Sequence, residues 1–350
     1  MMPTGHQVPL QAPAELHCGL YNRAGDVKAG IAIRILGLCC LTACVQVFPA
    51  QEKLSVPPEG QPRSPELQLE RLATPEDLTS LVTRRRWDEV LKVAQRRLSD
   101  TPHDPILHYW AGVARFYQRD FVQSVLSLRE AEKLGLNTAP LHEALGVTYY
   151  TIHQYSLFLQ QMEDAIQADP ADPIPYHYLG RYYEHDSNDY LKAISYFDKA
   201  LERDPGDFNS LHFRALSFQM LGRNAEARAG YEAAIRRIEA GDRQFGWPYQ
   251  KLAELLMPTD LQLALQYARK AVALERSVES NHLVLAKAYE SAGNLEAAIP
   301  ECLLAARLQP NDASIRYSLF RLYKKKGDSV AAAEQLKLHE KLRAIYASKQ

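Results

Sequence analysis

The 350-residue sequence predicts an all-α fold assembled from repeated helix hairpins. Three observations carry that reading. Gly112, Gly146 and Gly180 recur at intervals of 34 residues; two stretches of helical apolar spacing fit inside each interval; and Pro102, Pro170, Pro205 and Pro310 recur where the second stretch must stop. A chain of this length ordinarily suggests two or three compact domains, but in a repeat array the length is set by the number of modules.

The N-terminal segment, 1–50, reads as a targeting signal. Arg23, Lys28 and Arg34 precede an apolar run, Ile35-Leu36-Gly37-Leu38-Cys39-Cys40-Leu41, that extends less strictly to Phe48. That is shorter than the roughly 20 apolar residues of a spanning helix, and charge followed by a short apolar run is the order of a secretory signal. Leu41-Thr42-Ala43-Cys44 resembles the bacterial lipoprotein box, which implies lipidation at Cys44 and a membrane tether. The long stretch ahead of the apolar run would be explained by a start near Val27, and Phe48-Pro49-Ala50 disfavours ordinary cleavage after Ala50. A periplasmic or membrane-anchored address is expected, with a secreted form, an uncleaved anchor and a cytoplasmic chain as the alternatives. Residues 51–70, with Pro57, Pro58, Pro62 and Pro65, read as an extended linker of about 3.1 Å per residue.

Residues 71–350 form the array, with modules expected to start near Arg71, Pro105, Ala139, Pro173, Phe208, Gly246, Glu279 and Ala313. The eighth position holds Gly112, Gly146, Gly180, Ala215, Ala253 and Ala286. The twentieth holds Ser124, Ala193, Ala227, Ala264, Ala298 and Ala332, and the twenty-seventh Ala131, Ala165, Ala200, Ala234, Ala271 and Ala305. Small side chains recur where the two helices of a hairpin cross closely. Large ones recur beside them, as Tyr149, Tyr183, Phe218, Tyr289 and Tyr323 at the eleventh position, and fill the space between hairpins. Leu78, Val90 and Arg97 in the first module, and Phe320 and His339 in the last, depart from the small-residue rule where an array needs caps. Phe158 departs from it in the interior and predicts a splayed hairpin there, and the extra residues at 236–247 predict a hinge.

This pattern resembles the tetratricopeptide repeat, a 34-residue helix–turn–helix unit, across about 280 of the 350 residues. Gln-Ala-Asp-Pro at 167–170 and Glu-Arg-Asp-Pro at 202–205 repeat that family's end-of-module phrase. The resemblance implies a right-handed α-solenoid of about eight units, whose first helices line a groove with the second, fifth, ninth and twelfth positions facing a ligand. Those positions include Tyr109, Val113 and Phe116; Glu143, Val147 and Tyr150; His177, Arg181 and Glu184; and His212, Leu216 and Gln219. Farther along they are polar, with Gln250, Glu254, Lys287, Glu290, Arg321 and Lys324. The Lys and Asn arrangement by which chaperone-binding relatives clamp a terminal carboxylate is missing. The bland alternative for Tyr109, Phe116 and Tyr150 is packing within the array.

Other chemistry finds little support. Lys plus Arg number 41 against 42 Asp plus Glu, which argues against nucleic acid as a partner, because phosphate binding needs surplus cations. His108 and His142 fall one module apart, whereas metal ligands converge on one ion, so no metal and no cofactor is expected. Cys302 reads as a small buried hydrophobe. No phosphate loop, nucleophile elbow or zinc-protease motif occurs, so no enzyme is expected. Charge is segregated: residues 163–207 carry eleven acids and four bases, and residues 313–350 nine bases and three acids. Solvated helix faces account for this, as would steering of an acidic partner to Lys324-Lys325-Lys326 or head-to-tail association of two copies. The expected function is a non-catalytic scaffold that binds a protein or peptide in the groove; the alternative is an accessory subunit of an envelope assembly, secretion or glycan-processing machine.

Overall fold

The computed structural model describes residues 74–241 and 244–347, so the targeting segment with Cys44 and the Pro-rich linker lie outside the described residues. The described residues form sixteen α-helices and no strand. They are α1 (Glu76–Thr83), α2 (Trp87–Asp100), α3 (Pro105–Tyr117), α4 (Phe121–Lys133), α5 (Ala139–Thr151), α6 (Tyr155–Ala168), α7 (Ile174–His185) and α8 (Tyr190–Arg203). There follow α9 (Phe208–Met220), α10 (Asn224–Ala240), α11 (Trp247–Leu256), α12 (Leu261–Leu274), α13 (Glu279–Ser291), α14 (Leu295–Leu308), α15 (Ala313–Lys326) and α16 (Ser329–Ala347). Each odd-numbered helix packs on the even-numbered helix that follows it, and each hairpin packs on the next. This is the α-solenoid that the periodicity and the resemblance predict.

The recurring small residues explain the hairpin. All eighteen are buried, from Gly112, Gly146 and Gly180 to Ala332. At Gly180 an added Cβ would lie 2.6 Å from the Phe197 ring, and at Gly230 2.7 Å from the Cβ of Ala215, so the paired backbones leave no room for a side chain. Ser124 uses the same closeness for a bond, its hydroxyl donating to the Gly112 carbonyl at 2.8 Å. Helix ends follow the sequence locally. Asp104, Asp207 and Asp312 cap the first helices α3, α9 and α15 by accepting backbone N–H bonds, and Asp120, Asp189 and Asp260 do so for the second helices α4, α8 and α12. Helices α2, α6, α8 and α14 stop two residues short of Pro102, Pro170, Pro205 and Pro310. The tight turn inside seven of the eight hairpins uses a left-handed residue, supplied by Arg85, Arg119, His153 and Asn188 in the first four and by Gly222, Gly293 and Gly327 in three of the last four.

Two sequence expectations are corrected. The α5–α6 hairpin is not splayed by Phe158. The ring is buried and turns toward the next hairpin, with its centroid 5.3 Å from Tyr150 and 5.6 Å from Tyr182, while Met162 and Gln161 meet Gly146 at the crossing. A bulky residue is therefore accommodated by leaving the hairpin interface rather than by opening it. The interruption after α10 is no break in the core either. One buried cluster runs from Phe208 and Ile238 through to Tyr249 and Leu252, and the Tyr249 hydroxyl donates to Glu239 across the connection at 3.0 Å. Pro300, inside α14, went unremarked in the sequence; its ring is on an exposed face, where one missing N–H leaves a carbonyl to water.

Candidate functional site

The odd-numbered helices stand side by side and are bonded to one another along one face. His177 on α7 places Nδ1 2.8 Å from the Ser210 hydroxyl on α9; Ser280 on α13 donates to Gln250 on α11 at 3.2 Å; and Arg321 on α15 donates to Glu290 on α13 at 3.2 Å. The sequence-selected residues lie on this face, but its character changes along the chain.

In the second and third hairpins the face is filled. Tyr109 and Val113 are fully buried, and Phe116, Glu143 and Val147 nearly so. Tyr109 packs edge-on against Trp110, and Phe116 against Tyr117 and Phe121. The sequence expects these five side chains to face a ligand; in the structure they are covered within the array. Tyr150 is half-buried. Its hydroxyl donates to Asp186 at 2.6 Å, and Tyr155 donates to the other oxygen of the same carboxylate at 3.0 Å. Asp186 was missed in the sequence, since it ends α7 at a frame position where no residue type recurs. Burial, then the bond to Asp186, holds the Tyr150 phenol far above its ordinary pKa.

The fourth and fifth hairpins put a polar cluster under partial cover. The Arg181 guanidinium lies 3.5 Å over the Phe213 ring and donates to Glu184 at 3.1 Å. Burial raises the Glu184 carboxyl pKa, and the Arg181 charge opposes that rise. His177 and His212 are buried. Desolvation lowers the His177 pKa to about 4, Asp207 at 3.6 Å works in the opposite direction, and Arg181 lowers it further. His212 is surrounded by the rings of Phe213, Tyr231, Phe245 and Trp247, with neither nitrogen hydrogen-bonded; desolvation first, then Arg181 and Lys251, hold its pKa well below the ordinary value. Both histidines are thus neutral core residues near pH 7. Leu216 and Gln219 are half-buried, and the Gln219 amide oxygen accepts from Tyr231 at 2.7 Å.

Only toward the C-terminal end does the face open. Gln250 is still buried, Glu254, Leu283 and Glu290 are half-buried, and Lys287, Tyr317, Arg321 and Lys324 are exposed.

Two further histidines and Cys302 serve the packing. His142 is held between Gln161 and Asn137, His282 between Glu301 and the Arg276 carbonyl, and burial pushes the Cys302 thiol up to about 12. Among the described residues no three His, Cys, Asp or Glu side chains group as metal ligands, and no helix is long and apolar enough to cross a membrane.

With this geometry in hand, the comparisons agree on the fold. Residues 175–207 and 280–312, the α7–α8 and α13–α14 hairpins, match the tetratricopeptide repeat model. Superkiller complex protein 3 of Mus musculus is 26% identical over 247 residues, which is 67% of this chain and 15% of that relative, so the chain spans only a small part of its length. A chain of the APC/C hetero-tetramer Cut9–Hcn1 superposes with a TM-score of 0.56 at 16% identity, covering 76% of this chain and 52% of the other. The Pseudomonas aeruginosa pilF structure gives 0.52 at 16% identity, covering 66% and 97%. At these identities the solved structures speak to the fold alone.

Proposed function

We propose that the protein is a non-catalytic scaffold that holds an extended segment of a protein partner on the open, C-terminal part of its odd-helix face. The observation that carries this reading is the change from a filled face at Tyr109 and Phe116 to an exposed one at Lys287, Tyr317 and Arg321 on the same repeating frame. A binding surface has to offer side chains that a partner can desolvate, and only the open part does so. Among the residues selected as ligand-facing, Tyr150, Arg181, Leu216 and Gln219 keep partial exposure on earlier helices of the same face. A photo-crosslinking residue at position 317 should capture the partner, and one at position 122, on an even-numbered helix, should not. Capture from 122 alone would overturn the reading.

The address is part of the proposal. The cationic residues ahead of the apolar run at 35–48, with Leu41-Thr42-Ala43-Cys44, support export and lipidation at Cys44. The full chain should take up labelled fatty acid and fractionate with membranes, and Cys44→Ala should do neither. Identical behaviour of the two chains would remove the lipid anchor. A role as an accessory subunit of an envelope machine would follow from this address, with the partner held on the same face.

A further inference from the structure

The open part of the odd-helix face has a definite chemistry. On α13, Leu283, Lys287 and Glu290 fall at i, i+4 and i+7; on α15, Tyr317, Arg321 and Lys324 do the same, so each helix presents one stripe. The stripes are joined by Arg321, which donates to the Glu290 carboxylate at 3.2 Å, and Lys325 binds the same carboxylate oxygen. Glu290 is itself largely covered, with its side chain 15% exposed, while those of Arg321 and Lys325 are 52% exposed. Lys287 has no ion-pair partner among the described residues, and Lys324 lies 5.8 Å over the Phe320 ring with no carboxylate in reach. Of the four cations, only Arg321 and Lys325 meet the one carboxylate. Between them are two apolar surfaces, half-buried Leu283 and Tyr317, which is 45% exposed.

A solvated helix face explains a run of lysines at the end of a helix, since cations there favour the helix dipole. It does not explain Lys287, which sits in mid-helix, nor why apolar and cationic side chains, half-buried Leu283 with Lys287 and exposed Tyr317 with Arg321 and Lys324, are interleaved on both stripes. Elsewhere on the odd-helix face the charges are internally matched: Arg181 pairs with Glu184, and Lys251 with Glu254 at 2.9 Å. The cationic surplus is confined to the part of the face that is open.

We infer that this surface binds an acidic, extended segment of a protein partner, its carboxylates on Lys287, Arg321 and Lys324 and its apolar side chains against Leu283 and Tyr317. The inference rests on the scaffold reading and gives the partner its chemistry. The segment is internal rather than a chain terminus, because the surplus is spread over two helices instead of converging on one point. The carboxylates set recognition and encounter rate, and the apolar contacts carry the affinity.

The test uses the full chain and a fluorescein-labelled, C-terminally amidated peptide of Glu, Leu and Pro residues, the prolines keeping it extended. Its anisotropy should report binding that weakens with added salt, whereas the peptide with Gln in place of Glu should bind at least about tenfold more weakly. The Lys287→Glu/Lys324→Glu variant reverses two exposed cations that make no ion pair, so it should melt like the wild type and lose the acidic peptide at least about tenfold. Lys92→Glu/Lys270→Glu, on even-numbered helices, should leave binding intact. Equal binding of the Glu and Gln peptides, or no loss on charge reversal at 287 and 324, would overturn the inference. So would equally tight binding of a single-stranded oligonucleotide, which would mark a general polyanion surface, or a wild-type oligomer that dissociates on the same reversal, which would assign the face to a second copy. Crosslinking from position 317 separates the two readings: if it captures a partner while the Glu and Gln peptides behave alike, the scaffold stands and only the partner chemistry falls.

Discussion

Tyr109 and Tyr317 occupy the same frame position, six hairpins apart, and meet opposite fates. Tyr109 in α3 is fully buried against Trp110, whereas Tyr317 in α15 is 45% exposed and packs beside the rings of Phe320 and His339. What differs is the surroundings: Tyr109 shares one buried cluster with Val113 and Phe116 of its own helix and with Val147 and Tyr149 of α5, whereas the odd-numbered helix before Tyr317 carries Leu283, Lys287 and Glu290 at the corresponding positions. A repeat frame therefore fixes how a hairpin closes, but not whether the face it builds is open to a partner. The turns divide along similar lines, with Arg119 and His153 at positive φ early in the chain and Gly222 and Gly293 late.

The comparison is broken most directly at the two tyrosines. Tyr109→Ala should cost about 3–5 kcal/mol, the usual range for removing a buried aromatic ring. Tyr317→Ala should cost under about 1 kcal/mol, since its ring is half in water. Denaturant melts of the two variants check this, and equal costs would show that the filled and open faces do not differ energetically.

A pH titration of stability sharpens the middle of the array. His177 has a folded pKa of about 4, below its ordinary value of 6.5, so the unfolded chain binds the extra proton in that window. Stability should be full above pH 6.5 and fall as the pH drops from 6.5 toward 4, by up to about 1.4 kcal/mol for each pH unit crossed. In His177→Gln that slope should flatten when melts are compared across the window; an unchanged slope would place the acid sensitivity elsewhere.

At the crossings, Gly180→Ala should cost about 1–3 kcal/mol, because the new Cβ would meet the rigid Phe197 ring at 2.6 Å. Gly146→Ala should cost less, since its nearest obstacle is the flexible end of Met162. Thermal melts rank the pair, and the reverse order would contradict the reading that ring rigidity sets the tolerance.

The smallest effects are expected in the turns. Gly222→Ala should destabilise by about 1 kcal/mol, because a side chain there must adopt positive φ. Arg119→Gly should be neutral to stabilising by up to about 1 kcal/mol, relief of the same strain being offset by the greater freedom of glycine in the unfolded chain. Opposite signs at these two positions would confirm that the early turns carry the strain that the late ones avoid.

The sequence by itself determined the period, the hairpin crossings and the helix stops. Each is settled within one repeat: Gly180 against Phe197, Asp207 on the first turn of α9, Pro205 after α8. The frame also told which residues share the odd-helix face, because the 3.6-residue turn fixes the stripe on each helix. Tertiary structure alone decided what that face offers. Whether Tyr109 is core and Tyr317 surface, whether Phe158 splays its hairpin or turns into the next one, and that His212 lies in an aromatic shell closed by Phe245 and Trp247 all depend on side chains from adjacent repeats. Periodicity records which residues recur at equivalent positions, whereas burial depends on the summed volume of neighbours that differ from one repeat to the next.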